Sequence, residues 1–141
     1  MNLLIIAFLV LIGGASKFYK RFVPISIGLE LKTFFTILIA YYNDPYTALL
    51  CAIFMVIISA AVSGRFCHWM GIKIGVYAGV CLIIGVFHSF GIGVAGKIAV
   101  VFLNVAYVLF NALFKDFKIY SDLPGNIINV AFNFVLLGLV D

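Results

Sequence analysis

Residues 91–114 read GIGVAGKIAVVFLNVAYVLFNALF. The stretch holds a single charge, Lys97, and no proline. A helix rising 1.5 Å per residue needs roughly 20 apolar residues to cross about 30 Å of hydrocarbon, and this stretch meets that length. A strand of a membrane barrel would instead alternate apolar and polar residues over about ten positions. Here the apolar residues cover every side, so the stretch is read as a membrane helix.

The rest of the chain repeats the pattern. Apolar segments at about 2–16, 24–42, 46–63, 69–87 and 123–140 join 91–114 to predict an all-α bundle of about six transmembrane helices in one domain, 1–141. Two-thirds of the residues are apolar and 10% are charged, with fifteen Phe and seven Tyr. A soluble domain is about a quarter charged. A small soluble domain also leaves roughly a third of its unfolded surface in water, which this composition does not tolerate. The expected setting is a lipid bilayer, and the expected location is the cell membrane with several passes.

Turn signals divide the segments. Asn43-Asp44-Pro45 is one, with Pro45 suited to the first turn of the next helix. Ser89-Phe90-Gly91 is another, and Ser121 or Asp122 is the expected cap of the sixth helix. No basic residue precedes the first apolar run, whereas Lys17, Lys20 and Arg21 follow it. That order is the reverse of a cleaved signal, so 2–16 is read as a retained helix. The third connection carries Arg65 with Lys73 just beyond, and the fifth carries Lys115 and Lys118, while the second and fourth carry no Lys or Arg. With six helices this bias turns the odd connections to the cytoplasm and both termini outward. The formal charge of +4 is thus an orientation signal and does not point to nucleic acid.

Six spans leave little chain for a soluble catalytic or nucleotide-binding domain. No Ser–His–acid or Cys–His set can be assembled, so no enzyme, cofactor or metal site is expected. Cys51, Cys67 and Cys81 show no metal or pairing spacing and are read as packed thiols, and His68 beside Cys67 as structural. Tyr41, Tyr42, Tyr46 and His88 fall at outer helix ends, where aromatic rings anchor at the interface.

The candidate functional residues are polar ones inside apolar runs. Asn126, Asn129 and Asn133 are spaced i, i+3, i+7 and share one helical stripe; Asn104 and Asn111 are seven apart on the preceding helix. A carboxamide stranded in hydrocarbon costs several kcal/mol, so these stripes must face one another, another helix or a cavity. Hydrogen-bonded helix packing and a pocket wall for a small polar ligand both fit this spacing. Glu30 and Lys32 open the second span; two residues apart, they would point to different sides, with Lys32 snorkelling toward the nearby cytoplasmic face and Glu30 turned into the bundle. Glu30 joins the amides as a ligand-binding candidate, because an intramembrane acid is a site hypothesis by default. Gly71, Gly75 and Gly79 recur every fourth residue and predict a groove for close helix packing, with Ser59, Ala60, Ser63 and Gly64 as a second small face.

Six short helices, Gly28-Leu29-Glu30-Leu31 at the start of the second, a compact second–third hairpin and Asn104, Asn111, Asn129 and Asn133 in the last two resemble two related families. These are the substrate-binding S-components of energy-coupling-factor transporters and the rod-shape-determining membrane protein D family. The resemblance implies capture of a vitamin-like molecule at the outer side, with delivery by a separate transmembrane subunit and two ATPases. A non-catalytic scaffold or accessory subunit of a larger membrane complex, and an oligomeric channel, are the alternatives.

Overall fold

The computed structural model describes residues 1–16, 18, 22, 30–64, 69–114 and 119–141, the last stretch without the side chains of 119–122. Among the described residues it is all-helical: α1 (Leu3–Ala15), α2 (Leu31–Tyr42), α3 (Pro45–Ser63), α4 (Met70–Phe87), α5 (Ile92–Phe114) and α6 (Ile119–Val140), with a 3-10 turn at His88–Phe90. The basic residues Lys17, Lys20, Arg21, Arg65, Lys115 and Lys118, together with Cys67, His68 and the predicted start of the second span at 24–29, lie outside the described residues.

Four helices are long and apolar enough to cross a membrane: α3, α4 with its 3-10 extension, α5, and α6 over Leu123–Val140. The six expected helices are all present, and the other two are shorter than the expected segments. α1 has 13 residues and α2 has 12, which at 1.5 Å per residue is about 20 Å and about 18 Å. Glu30 is the reason α2 is short: its backbone is extended, with φ −115° and ψ 99°, so the helix begins only at Leu31. α6 differs in the opposite sense. It starts at Ile119, so Ser121 and Asp122 lie within the helix instead of capping it, and Pro124 is also inside.

The α2–α3 hairpin follows from its turn residues. Asp44 caps α3, accepting from the Thr47 N–H at 2.8 Å and from the Thr47 hydroxyl at 2.6 Å. Pro45 occupies the first turn, where its missing N–H would have had no helical partner. Gly64 ends α3 in the left-handed region, φ 65°, a conformation that glycine adopts without strain. Hydrogen bonds from Thr47 hold the Asp44 carboxyl below its ordinary range. Because the folded value is lowered, the cap contributes fully above the unfolded carboxylate range and is lost as pH falls through the folded value. Acid, or Asp44→Ala at neutral pH, should therefore speed amide exchange at Thr47; unchanged exchange in both would remove the cap from the account.

α2 is the centre of the bundle. It touches every other helix, while α1, α3, α4, α5 and α6 follow one another in an arc around it. Eight of its twelve residues are buried, including Phe34, Ile37 and Ile39. On the outer side of the arc, Leu50, Phe54, Leu82, Val86, Leu109 and Leu139 are exposed. The helix ends gather as an alternating bundle requires. The Met1 amine donates to Asn43 Oδ1 at 3.0 Å, the His88 ring stacks on Tyr41, and the Gly93 N–H donates to Asp141 Oδ1 at 3.1 Å.

Candidate functional site

The antiparallel register of α5 and α6 is set by small residues. A Cβ on Gly93 would collide with the Asp141 carboxylate, and one on Gly96 would meet Leu137 at 2.7 Å and Ile37 at 3.3 Å. This close approach brings Asn104 opposite Asn129 near the middle of both helices. Asn133 Nδ2 donates to Asn129 Oδ1 at 2.7 Å and to the Asn129 carbonyl at 2.8 Å. Asn129 Nδ2 donates to Asn104 Oδ1 at 3.3 Å, and Asn104 Nδ2 donates to the Val100 carbonyl at 2.8 Å. All three side chains are buried. The ladder leaves one sealed atom without a partner, Asn133 Oδ1.

Asn129 is the hub of this ladder. Asn129→Leu strips a donor from Asn104 and an acceptor from Asn133, and unpaired buried polar groups cost about 1–3 kcal/mol. A loss of that order is expected in thermal or denaturant unfolding of the purified protein. A stability equal to wild type would mean the ladder holds nothing together.

Asn126 and Asn111 do not join the ladder. Asn126 is half-buried on the wall of a groove of about 450 Å³ between α5 and α6. Asn104, Val105 and Leu109 line it from α5, and Ile127 and Val130 join Asn126 from α6. Val105, Leu109 and Ile127 are exposed, so the groove opens sideways on the outer surface of the bundle. Asn126 makes no hydrogen bond to any described residue. Asn111 lines a separate space of about 50 Å³ beside Trp69, Lys73 and Tyr107.

The predicted geometry of Glu30 and Lys32 is corrected. Lys32 does not snorkel: it is 3% exposed, with Nζ 3.3 Å from Ser59 Oγ and 3.8 Å from Glu30 Oε2. The two side chains meet because Glu30 precedes the helix, and helical spacing does not separate them. The polar contacts continue beyond this pair. Thr33 Oγ1 lies 3.5 Å from the Tyr77 hydroxyl. Tyr107 is three residues from Asn104, on the same face of α5. Polar contacts therefore join Ser59 on α3, the start of α2 and Tyr77 on α4, separately from the amide ladder of α5 and α6. Thr33, Ser59, Tyr77 and Tyr107 were not among the expected site residues. For Tyr107 the signal was present in its place between Asn104 and Asn111 on one stripe; for Tyr77 it was hidden inside the glycine pattern.

The glycine groove of α4 is occupied at one end only. A Cβ on Gly79 would meet the Phe102 ring at 2.6 Å, whereas Gly71 and Gly75 face open space. The tightest contacts of α1 lie at Gly13, against Met55 and Phe35, and at Gly14, against Ile58.

No family model, curated protein or solved structure matches this chain. The functional reading is carried by its residues. In chemical terms, the α5–α6 groove offers an apolar wall and one uncommitted carboxamide that can both donate and accept. The start of α2 offers an ion pair, Glu30–Lys32, inside the bundle.

Proposed function

We propose that this chain is a multi-pass subunit of the cell membrane that captures a small molecule for uptake and works with partner subunits. The observation that supports this reading is the α5–α6 groove. Its volume, about 450 Å³, falls in the range of small-molecule sites, about 300–1,000 Å³. Asn126 stands on its wall with its hydrogen-bonding capacity unused by the described residues. Basic connections would face the cytoplasm in this arrangement.

Purified protein should be stabilised by one member of a panel of vitamins, nucleobases and lipid-soluble metabolites. Asn126→Leu should weaken that ligand at least tenfold while leaving the unliganded melting temperature within a few degrees. A panel without a single stabilising compound would count against capture.

One observation favours a second reading, a non-catalytic scaffold. Gly71 and Gly75 leave a small-residue face of α4 open, and such faces admit a neighbouring helix closely. Under that reading, gentle extraction brings down a defined membrane partner, and Gly75→Leu releases it.

A further inference from the structure

Building on the capture reading, we infer that the α5–α6 groove takes a lipid-soluble ligand: a neutral molecule with an apolar body and one hydrogen-bonding head, which enters sideways from the bilayer. The first argument is a count of polar atoms. A water-soluble vitamin carries many polar groups, and each one stripped of water without a partner costs several kcal/mol. The groove cannot supply those partners. Asn104 already donates to Val100 and accepts from Asn129. Asn126 is the carboxamide that remains, and none of the described residues lining the wall is charged. A single hydroxyl or carbonyl satisfies such a wall; a carboxylate, phosphate or ammonium does not.

The second argument is the position of the mouth. Asn104 lies twelve residues from the start of α5 at Ile92 and ten from its end at Phe114, about 18 Å and about 15 Å along the axis. Its opening, bordered by the exposed Val105, Leu109 and Ile127, is therefore near mid-depth of a helix long enough to cross a membrane. A ligand arriving there comes through hydrocarbon, where an apolar body is already dissolved. The amide then selects the head, because an unpaired carboxamide facing lipid gains more from one partner than aliphatic walls gain from any tail.

The test uses the whole chain in phosphatidylcholine nanodiscs and a diazirine analogue of farnesol, a C15 isoprenoid with one hydroxyl. Cross-links mapped by mass spectrometry should concentrate at 104–109 and 126–131. Farnesol should compete, and the matching C15 hydrocarbon should not. Asn126→Leu should weaken competition by farnesol at least tenfold. Ala131→Phe, at an exposed position on the groove wall, should abolish labelling by filling the space. Leu82→Phe, on the exposed side of α4, should change nothing. Labelling spread evenly over lipid-facing helices, or equal competition by the hydrocarbon, overturns the lipid-soluble ligand. So does a partner helix found seated in the groove. The two readings fail differently: a water-soluble vitamin that stabilises the protein through Asn126 sinks this inference and keeps capture, whereas no stabilising compound of any class sinks both.

Discussion

Lys32→Met should destabilise the bundle by about 1–3 kcal/mol, the usual cost of taking a partner away from a buried polar group. Methionine keeps much of the apolar stem, so packing changes little. What changes is charge: the Glu30 carboxylate, whose side chain is 13% exposed, loses the ammonium 3.8 Å away. Ser59 loses its contact with Nζ as well. Adding Glu30→Gln to Lys32→Met should recover most of the loss, because an uncharged pair no longer needs balancing. The difference between the single and double variants, read from unfolding of the reconstituted protein, measures the coupling directly. If Lys32→Met alone unfolds like wild type, the pair is not what holds the start of α2.

Gly14→Ala and Gly75→Ala should have opposite outcomes although both add one methyl to an apolar helix. At Gly14 the new Cβ would lie 2.6 Å from Ile58 Cγ2 and 2.7 Å from Ile58 Cβ. Ile58 is β-branched and stiff at χ1, and its Cβ is bonded to the backbone, so α1 must move away from α3. Overpacking of this kind costs about 1–3 kcal/mol. At Gly75 the Cβ meets nothing, and alanine is the better helix former by about 0.8–1.0 kcal/mol. The Gly75 variant should therefore melt at or above wild type. A folded Gly75→Ala chain that has lost a larger assembly on size exclusion would reassign that face of α4 to a partner.

The helices were legible because their signal is redundant: long apolar runs, separated by Asn43-Asp44-Pro45 and Gly91, admit no other element. The contact between the amide stripes was also legible in part, since carboxamides avoid lipid and neighbouring helices pack antiparallel. That Asn104, Asn129 and Asn133 bond one another while Asn126 stands apart was not. That outcome depends on the α5–α6 register, which Gly93 and Gly96 set through Asp141 and Leu137. The meeting of Glu30 and Lys32 was hidden for a different reason. A shift of a helix start by a few residues converts a pair on opposite faces into an ion pair, and no periodicity reports such a shift. The glycines of α4 were legible only as a groove, because spacing describes one surface and a packed interface needs two. Phe102 supplies the second surface at Gly79, and no described residue does so at Gly71 and Gly75.

The shortness and centrality of α2 bear on how the protein is made. About 18 Å of helix with a lysine in its first turn is a poor substrate for insertion on its own, being shorter than the roughly 20 apolar residues that a span requires. α2 therefore waits for its neighbours: it can settle only once α3, α4 and α5 provide the serine, the tyrosine and the apolar walls that receive it. In a chain truncated after α2, the α2 segment should remain open to protease on the side where it is synthesised, whereas in the full chain α2 should be protected.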